Sequence, residues 1–207
     1  MGNRIKVLLA DDHAMVRMAL ASLLDAVGDF SVVGEAEDGG EAVRLSVQLK
    51  PDIVLMDLMM PLKDGVEATQ EIKAALPDTK VILLTSATSS DQIAHGIRAG
   101  ASGAILKSSD FSLLVETIKK VAAGGSVIAP DVQKLLDEEP PILDLSDRQR
   151  EILQLIVKGL NDREIARLLG LSVYTVKEHV NALFNKIGAA NRTEATMIAA
   201  RKHLLKL

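Results

Sequence analysis

The sequence predicts an α/β fold, a doubly wound five-stranded parallel sheet, followed by a small all-α unit of four helices. Three observations predict it. Short aliphatic runs alternate with helical patterns through residues 1–123. The runs Val7–Ala10, Ile53–Met56 and Val81–Leu84 are continuously apolar, as strands covered on both faces must be. Residues 143–207 carry repeated helix-capping punctuation in place of strand patterns.

The elements follow in order. Strands are expected at Lys6–Ala10, Ser31–Ala36, Ile53–Met56, Lys80–Thr85 and Gly103–Leu106. Helices are expected at Ala14–Val27, Gly39–Lys50, Gly65–Ala75, Ser90–Ala99 and Phe111–Ala123. Right-handed crossovers favour the strand order 2-1-3-4-5. Gly124-Gly125 closes this unit, and residues 124–142 read as a linker. It holds a short helix over Asp131–Asp137, then Glu138-Glu139-Pro140-Pro141, whose prolines block helix continuation. In the tail, Ser146, Asn161 and Asn191 each precede Glu or Gln by three residues, and Ser172 caps a further helix. Gly159, Gly170 and Gly188 sit where helices should stop. Asn161–Leu169 and Val173–Ile187, joined by Gly170-Leu171-Ser172, have a helix-turn-helix layout, and a last helix spans Thr193–Leu205.

Composition narrows the function classes. The chain has 207 residues, 48% apolar and only 2% aromatic, so its cores are aliphatic. With no cysteine, disulfides, thiolate zinc sites and cysteine catalysis are excluded. No apolar stretch approaches the ~20 residues of a membrane span. The N-terminus runs straight into a strand, so no signal peptide is expected, and Lys6 breaks the myristoylation pattern at Gly2. A cytoplasmic protein is the expectation. Residues 1–142 hold 13 Lys+Arg against 21 Asp+Glu, a net −8, while residues 143–207 hold 11 against 7, a net +4. That asymmetry points to two domains with different partners, the basic one a candidate for nucleic acid.

The chemistry concentrates at strand ends. In an open α/β sheet, ligands bind outside the carboxyl ends of the strands. Asp11-Asp12 end the first apolar run, Asp57 the third, Thr85 the fourth and Lys107 the fifth. Clustered carboxylates are stable around a hard divalent cation, and Mg2+ binds one or two of them plus a phosphate. Asp12 and Asp57 suit direct ligation, with Asp11 acting through water. Asp57 can then attack a phosphoryl group to give an acyl phosphate. Lys107 would neutralise charge on the transferring oxygens, and Thr85 would offer a hydroxyl to one of them. His13, His95 and His203 are scattered and suggest no metal site.

These residues, with Met60-Pro61-Leu62-Lys63-Asp64-Gly65, resemble the receiver domain of two-component response regulators over roughly residues 4–123. The resemblance implies that Asp57 accepts phosphate from a sensor histidine kinase with Mg2+, that the Met59 backbone carbonyl is a further metal ligand, and that Thr85 and Lys107 contact the phosphoryl group. Two positions depart from many receivers. No aromatic residue stands in Gly103-Ala104-Ile105-Leu106, and Lys107 is followed by Ser108 rather than proline, which leaves the geometry of that bond open.

In Val173–Ile187, the residues Val176, Val180, Leu183 and Ile187 define a buried face, and Tyr174, Lys177, Glu178, Asn181 and Asn185 the opposite one. Asn pairs with adenine, Lys reaches guanine and Glu accepts from cytosine in the major groove. Thr175, near the helix N-terminus, suits a phosphate. Leu145–Leu153, Glu164–Leu169, Ser172–Val180 and Lys186-Ile187-Gly188 with Asn191-Arg192 resemble the LuxR-type DNA-binding domain over residues 143–205. Receiver plus this tail is similar to the NarL/FixJ class of transcriptional regulators. The class implies double-stranded DNA with inverted half-sites, a homodimer, no membrane and no enzymatic turnover beyond slow self-dephosphorylation. It implies that phosphorylation controls dimerisation and promoter binding, through a change over Thr85–Ile97 and the last receiver helix.

Two other readings stay in view. Haloacid-dehalogenase-type phosphohydrolases also form an aspartyl phosphate at a strand end, but need a second acid two residues later, where this chain has Met59. The missing aromatic gives some weight to a DNA-binding protein with a phosphate-independent receiver.

Overall fold

The structure, a computed structural model, describes residues 4–86, 90–138, 141, 145–202 and 204–205. It forms two compact units, the first holding residues 4–86 and 92–138, the second including 145–202.

The first unit alternates β1 (Ile5–Ala10), α1 (Ala14–Val27), β2 (Phe30–Ala36), α2 (Gly39–Leu49), β3 (Ile53–Asp57), α3 (Gly65–Ala75), β4 (Lys80–Thr85), α4 (Ser90–Arg98), β5 (Gly103–Leu106) and α5 (Phe111–Ala122). All strand pairs are parallel, and the order is β2-β1-β3-β4-β5-β6. The expected doubly wound order is therefore present with one addition. The sixth strand, β6 (Val127–Ile128), pairs with Gly103 and Ala104, inside the segment read as linker. Two residues carry no period, and only that pairing defines them as a strand. The expected short helix follows as α6 (Pro130–Glu138), with Val132 buried. The sheet's apolar runs show why it holds: Val7, Leu8, Ile53–Met56 and Val81–Leu83 are fully buried, between helices on both faces. Burial of an aliphatic side chain contributes about 1.5–3 kcal/mol.

The carboxyl end of the sheet is built by register. Ala10 pairs with Met56, so the next residue of β1, Asp11, comes beside Asp57. Asp57 pairs with Leu84 and Thr85 with Leu106, which places Thr85 and Lys107 one step further on. The loop between Asp57 and α3 returns tightly. The Gly65 amide donates to the Leu58 carbonyl at 3.1 Å, and the Lys63 amide to Pro61 at 2.7 Å across Leu62. Leu62 sits at φ 65°, a left-handed conformation that costs a leucine energy. The Gly39 amide donates to the Lys63 carbonyl at 3.1 Å, tying α2 to this loop.

The second unit packs α7 (Asp147–Val157), α8 (Asp162–Leu169), α9 (Val173–Ile187) and α10 (Arg192–Arg201) around Ile152, Leu153, Ile165, Val176, Leu183 and Ala195. Ser146 and Asn161 form the expected reciprocal capping boxes with Gln149 and Glu164. Asn191 caps α10, but Glu194 reaches back to the Ala190 amide. The last helix stops at Arg201, short of the expected Leu205. Its physical reason is local: the Leu204 amide donates to the Ala199 carbonyl at 3.0 Å, turning the chain so that Leu204 is buried. His203 lies outside the described residues, as do parts of the expected linker and of Thr85–Ile97.

A Cβ on Gly65 would lie 2.1 Å from the Asp57 carbonyl oxygen, which is backbone and cannot step aside. Gly65→Ala should therefore destabilise the first unit by about 2 kcal/mol or more. Urea unfolding checks this, and a change too small to measure would show that the loop yields.

Candidate functional site

At the carboxyl end of the sheet, one ammonium serves two buried carboxylates. Lys107 Nζ lies 2.7 Å from Asp11 Oδ2 and 2.8 Å from Asp57 Oδ2. Asp11 is 1% exposed, Asp57 3% and Thr85 4%. The Lys107 amide donates to the Thr85 carbonyl at 2.7 Å, so the last residues of β4 and β5 are locked where these groups meet. The other carboxylate oxygen of Asp57 accepts the Met59 amide at 3.2 Å. Arg17, on α1, holds the Asp11 carbonyl at 2.6 Å.

Burial pushes the Asp57 carboxyl above its ordinary value. The nearby Asp11 acts in the same direction, while Lys107 and the Met59 amide pull against them. Burial works to lower the Lys107 ammonium, but bonds to Asp11 and Asp57 outweigh it and hold that group above its usual value. The pocket is short of positive charge: three carboxylates, of Asp11, Asp12 and Asp57, face one lysine.

The structure brings Asp11, Asp12 and Asp57 together as expected, with Thr85 and Lys107 at the neighbouring strand ends. It also adds His13, whose distance in sequence from His95 and His203 suggests no metal site. One ligand atom from each of Asp11, Asp12, His13 and Asp57 lies within 4.8 Å of the others. His13 is the N-cap of α1; its amide donates to Asp11 Oδ1 at 2.9 Å, and its Nδ1 lies 2.6 Å from Asp12 Oδ1. Adjacency to Asp12 was the available signal, but only the extended backbone at the cap turns the ring toward the acids. Oxygen donors that are buried, convergent and under-neutralised suit a hard divalent cation. Met59 is half out of the protein, 41% exposed, at the rim. No peptide bond among the described residues is cis, so Lys107–Ser108 is trans.

In the second unit, Tyr174, Lys177, Glu178, Asn181 and Asn185 lie exposed along one side of α9, while Val176, Val180, Leu183 and Ile187 are buried on the other. Among the described residues, no hydrogen bond or ion pair engages the side chains of Lys177, Glu178, Asn181 or Asn185. Thr175 is half-buried at the first turn, its Oγ1 2.9 Å from Ser172 Oγ. Arg192, on α10, donates to the Leu160 carbonyl at 2.6 Å and pairs with Asp162, fixing the start of α8.

Comparison with known proteins assigns a family to each unit. Residues 7–119 match the response regulator receiver domain, and residues 143–199 match bacterial regulatory proteins of the luxR family. The chain belongs to the response regulators. It joins a receiver to a LuxR-type DNA-binding domain, as transcriptional regulators of this family do. The transcriptional regulatory protein LiaR of Bacillus subtilis is 41% identical, covering 97% of this chain and 99% of its own length. The response regulator protein VraR of Staphylococcus aureus is 38% identical, with 98% and 99% covered. Among solved structures, the response regulator ChrA of a heme-sensing two-component system is 35% identical, with a TM-score of 0.59 over 98% of this chain and 99% of ChrA. A complex of the response regulator RcsB with DNA is 25% identical, with a TM-score of 0.71 over 96% and 99%. No helix among the described residues is long and apolar enough to cross a membrane.

Because burial raises Asp57, its ionised form carries a cost in the fold. Relief of that cost is complete below the unfolded value of 3.8 and is lost as pH rises through the folded value. Asp57→Asn carries no such cost. Without divalent cation at pH 7 it should melt above the parent, by about 2–4 °C per kcal/mol gained. The gap should close as pH falls toward the carboxylate range. Added Mg2+ should raise the parent alone. Differential scanning calorimetry reads all three.

Proposed function

We propose that this response regulator receives a phosphoryl group on Asp57 from the phosphohistidine of a sensor histidine kinase, and that this modification controls dimerisation and promoter binding. The observation that carries the reading is the buried Asp57 carboxylate, held by Lys107 and the Met59 amide beside Asp11. An oxygen of Asp57 attacks phosphorus as the P–N bond to the kinase histidine breaks. The electron pair leaves on the imidazole, and an acyl phosphate remains. The Met59 amide fixes one Asp57 oxygen and Lys107 the other, which orients the carboxylate. As the acyl bond forms, Lys107 turns its charge to the phosphoryl oxygens, and the Thr85 hydroxyl donates to one of them.

Asp12 and Asp57, with the Met59 carbonyl, would hold Mg2+ directly and Asp11 through water. When bound, Mg2+ supplies charge neutralisation on the phosphoryl oxygens. The site then acts once per donor and does not turn over small phosphate esters. Met59 supports that distinction, because a phosphohydrolase of this chemistry needs an acid there.

In the second unit, α9 is proposed to enter the major groove of double-stranded DNA. Lys177, Glu178 and Asn181 would face base edges, with Tyr174 and Asn185 beside them and Thr175 at a phosphate. The exposed side chains support this, together with the family match and the DNA-bound state of RcsB. A homodimer on inverted half-sites is the matching arrangement, in the cytoplasm with the kinase's catalytic face.

Acetyl phosphate with Mg2+ should add one phosphoryl group to the parent by intact mass and none to Asp57→Asn. No gain in the parent would favour a phosphate-independent receiver. Sedimentation should show the phosphorylated parent shifting toward dimer. Lys177→Ala and Asn181→Ala should each weaken binding to a DNA fragment selected by the parent by about fivefold or more, about 1–3 kcal/mol. Their melting temperatures should stay unchanged, because both side chains are exposed. Unaltered fluorescence-anisotropy titrations would remove α9 from the interface.

A further inference from the structure

The imidazole of His13 stands inside the acid cluster, and the reaction outlined above gives it no role. Its ring is two-thirds exposed, so burial does not force it there. Its Nδ1 is 2.6 Å from Asp12 Oδ1 and 3.2 Å from Asp11 Oδ1, within the set of ligand atoms that also includes Asp57. The chain holds it there by its backbone: the extended N-cap of α1, with the His13 amide bonded to Asp11, points the residue across the mouth of the pocket. The side chain makes no cap bond to the helix, so it is free of the usual duty of an N-cap residue. An imidazole nitrogen there converts a set of hard oxygen donors into a mixed oxygen and nitrogen set. Carboxylate, carbonyl and water favour Mg2+, whereas imidazole favours transition metals, increasingly along the first row.

We propose that His13 is a ligand of the cation held at Asp12 and Asp57, and that it moves the preference of the site from Mg2+ toward nitrogen-accepting divalent ions such as Mn2+ and Co2+. The proposal rests on the cation-site reading above and adds a donor to it. Asp12 and Asp57 supply the charge, and His13 takes a position that water would fill in an all-oxygen site. The consequence is a regulator whose receiver is loaded according to the transition-metal supply as well as Mg2+.

The test uses the full chain and Mn2+ alone. Pulsed electron paramagnetic resonance on bound Mn2+ detects nitrogen coupling from a ligating imidazole, and competition with Mg2+ gives the relative affinities. The parent should show nitrogen coupling. His13→Ala should lose it, and its preference for Mn2+ over Mg2+ should fall on the order of tenfold, a typical scale for altering a metal's surroundings. His13→Asn, which keeps a favoured capping residue, should behave alike and covers any folding defect of the alanine variant. Asp57→Asn should lose Mn2+ binding itself. Binding that depends on Asp57 without nitrogen coupling in the parent overturns the role of His13 and leaves the cation site standing. Coupling that survives in His13→Ala assigns the nitrogen to another histidine and also overturns it. No Mn2+ binding to the parent, or binding indifferent to Asp57→Asn, overturns the cation-site reading and this proposal with it.

Discussion

The ion triad of Lys107 with Asp11 and Asp57 is the constraint on which the rest of the receiver depends. Three strands deliver these groups, β1, β3 and β5, and only a parallel sheet in this order brings their carboxyl ends to one place. Two carboxylates taken out of water repel each other and lose hydration; a single ammonium between them recovers part of both costs. It does not recover all, which is why burial still holds Asp57 above its ordinary value. Removing Lys107 would leave two unpaired buried charges, a more severe loss than a missing surface pair. The fold therefore tolerates a pocket that is incomplete in charge, which suits the cation and the phosphoryl chemistry proposed for it.

The loop after β3 works under the same constraint. To return from Asp57 to α3 within a few residues, the chain closes on the Leu58 carbonyl at Gly65 and turns at Leu62, a leucine in a left-handed conformation and 96% exposed. Strain of this kind persists only when the surroundings over-determine it. Here the surroundings are the Gly39 and Gly65 contacts, which leave no space for a side chain at either position. The result is that Met59 presents its amide to Asp57 and its side chain to solvent.

Much of this was legible in the sequence, because the strands that reach the pocket, β1, β3, β4 and β5, are aliphatic runs that end at a charged or hydroxyl residue. The period of α9 and its capping serine likewise separated the buried Val176, Val180, Leu183 and Ile187 from the exposed Lys177 and Asn181. What escaped has particular causes. The two residues of β6 are a strand only through their partners on β5. The end of α10 is decided by where Leu204 finds the core. His13 stands far in sequence from the other histidines, and the placing of its ring among the acids depends on the extended backbone at the helix cap, which spacing does not encode.

The absent aromatic residue on β5 is a matter of volume as much as of sequence. Ala104 and Ile105 are both buried, and Ile105 lines a hollow of about 150 Å³ together with Val16, Leu20, Leu84, Leu106 and Phe111. Rotation of a ring at position 104 or 105 therefore has no counterpart here. What does join Thr85 to β5 is backbone: Thr85 pairs with Leu106, and its carbonyl accepts the Lys107 amide. The carboxyl ends of β4 and β5, where Thr85 and Lys107 stand, are thus joined through main chain, independently of any aromatic side chain.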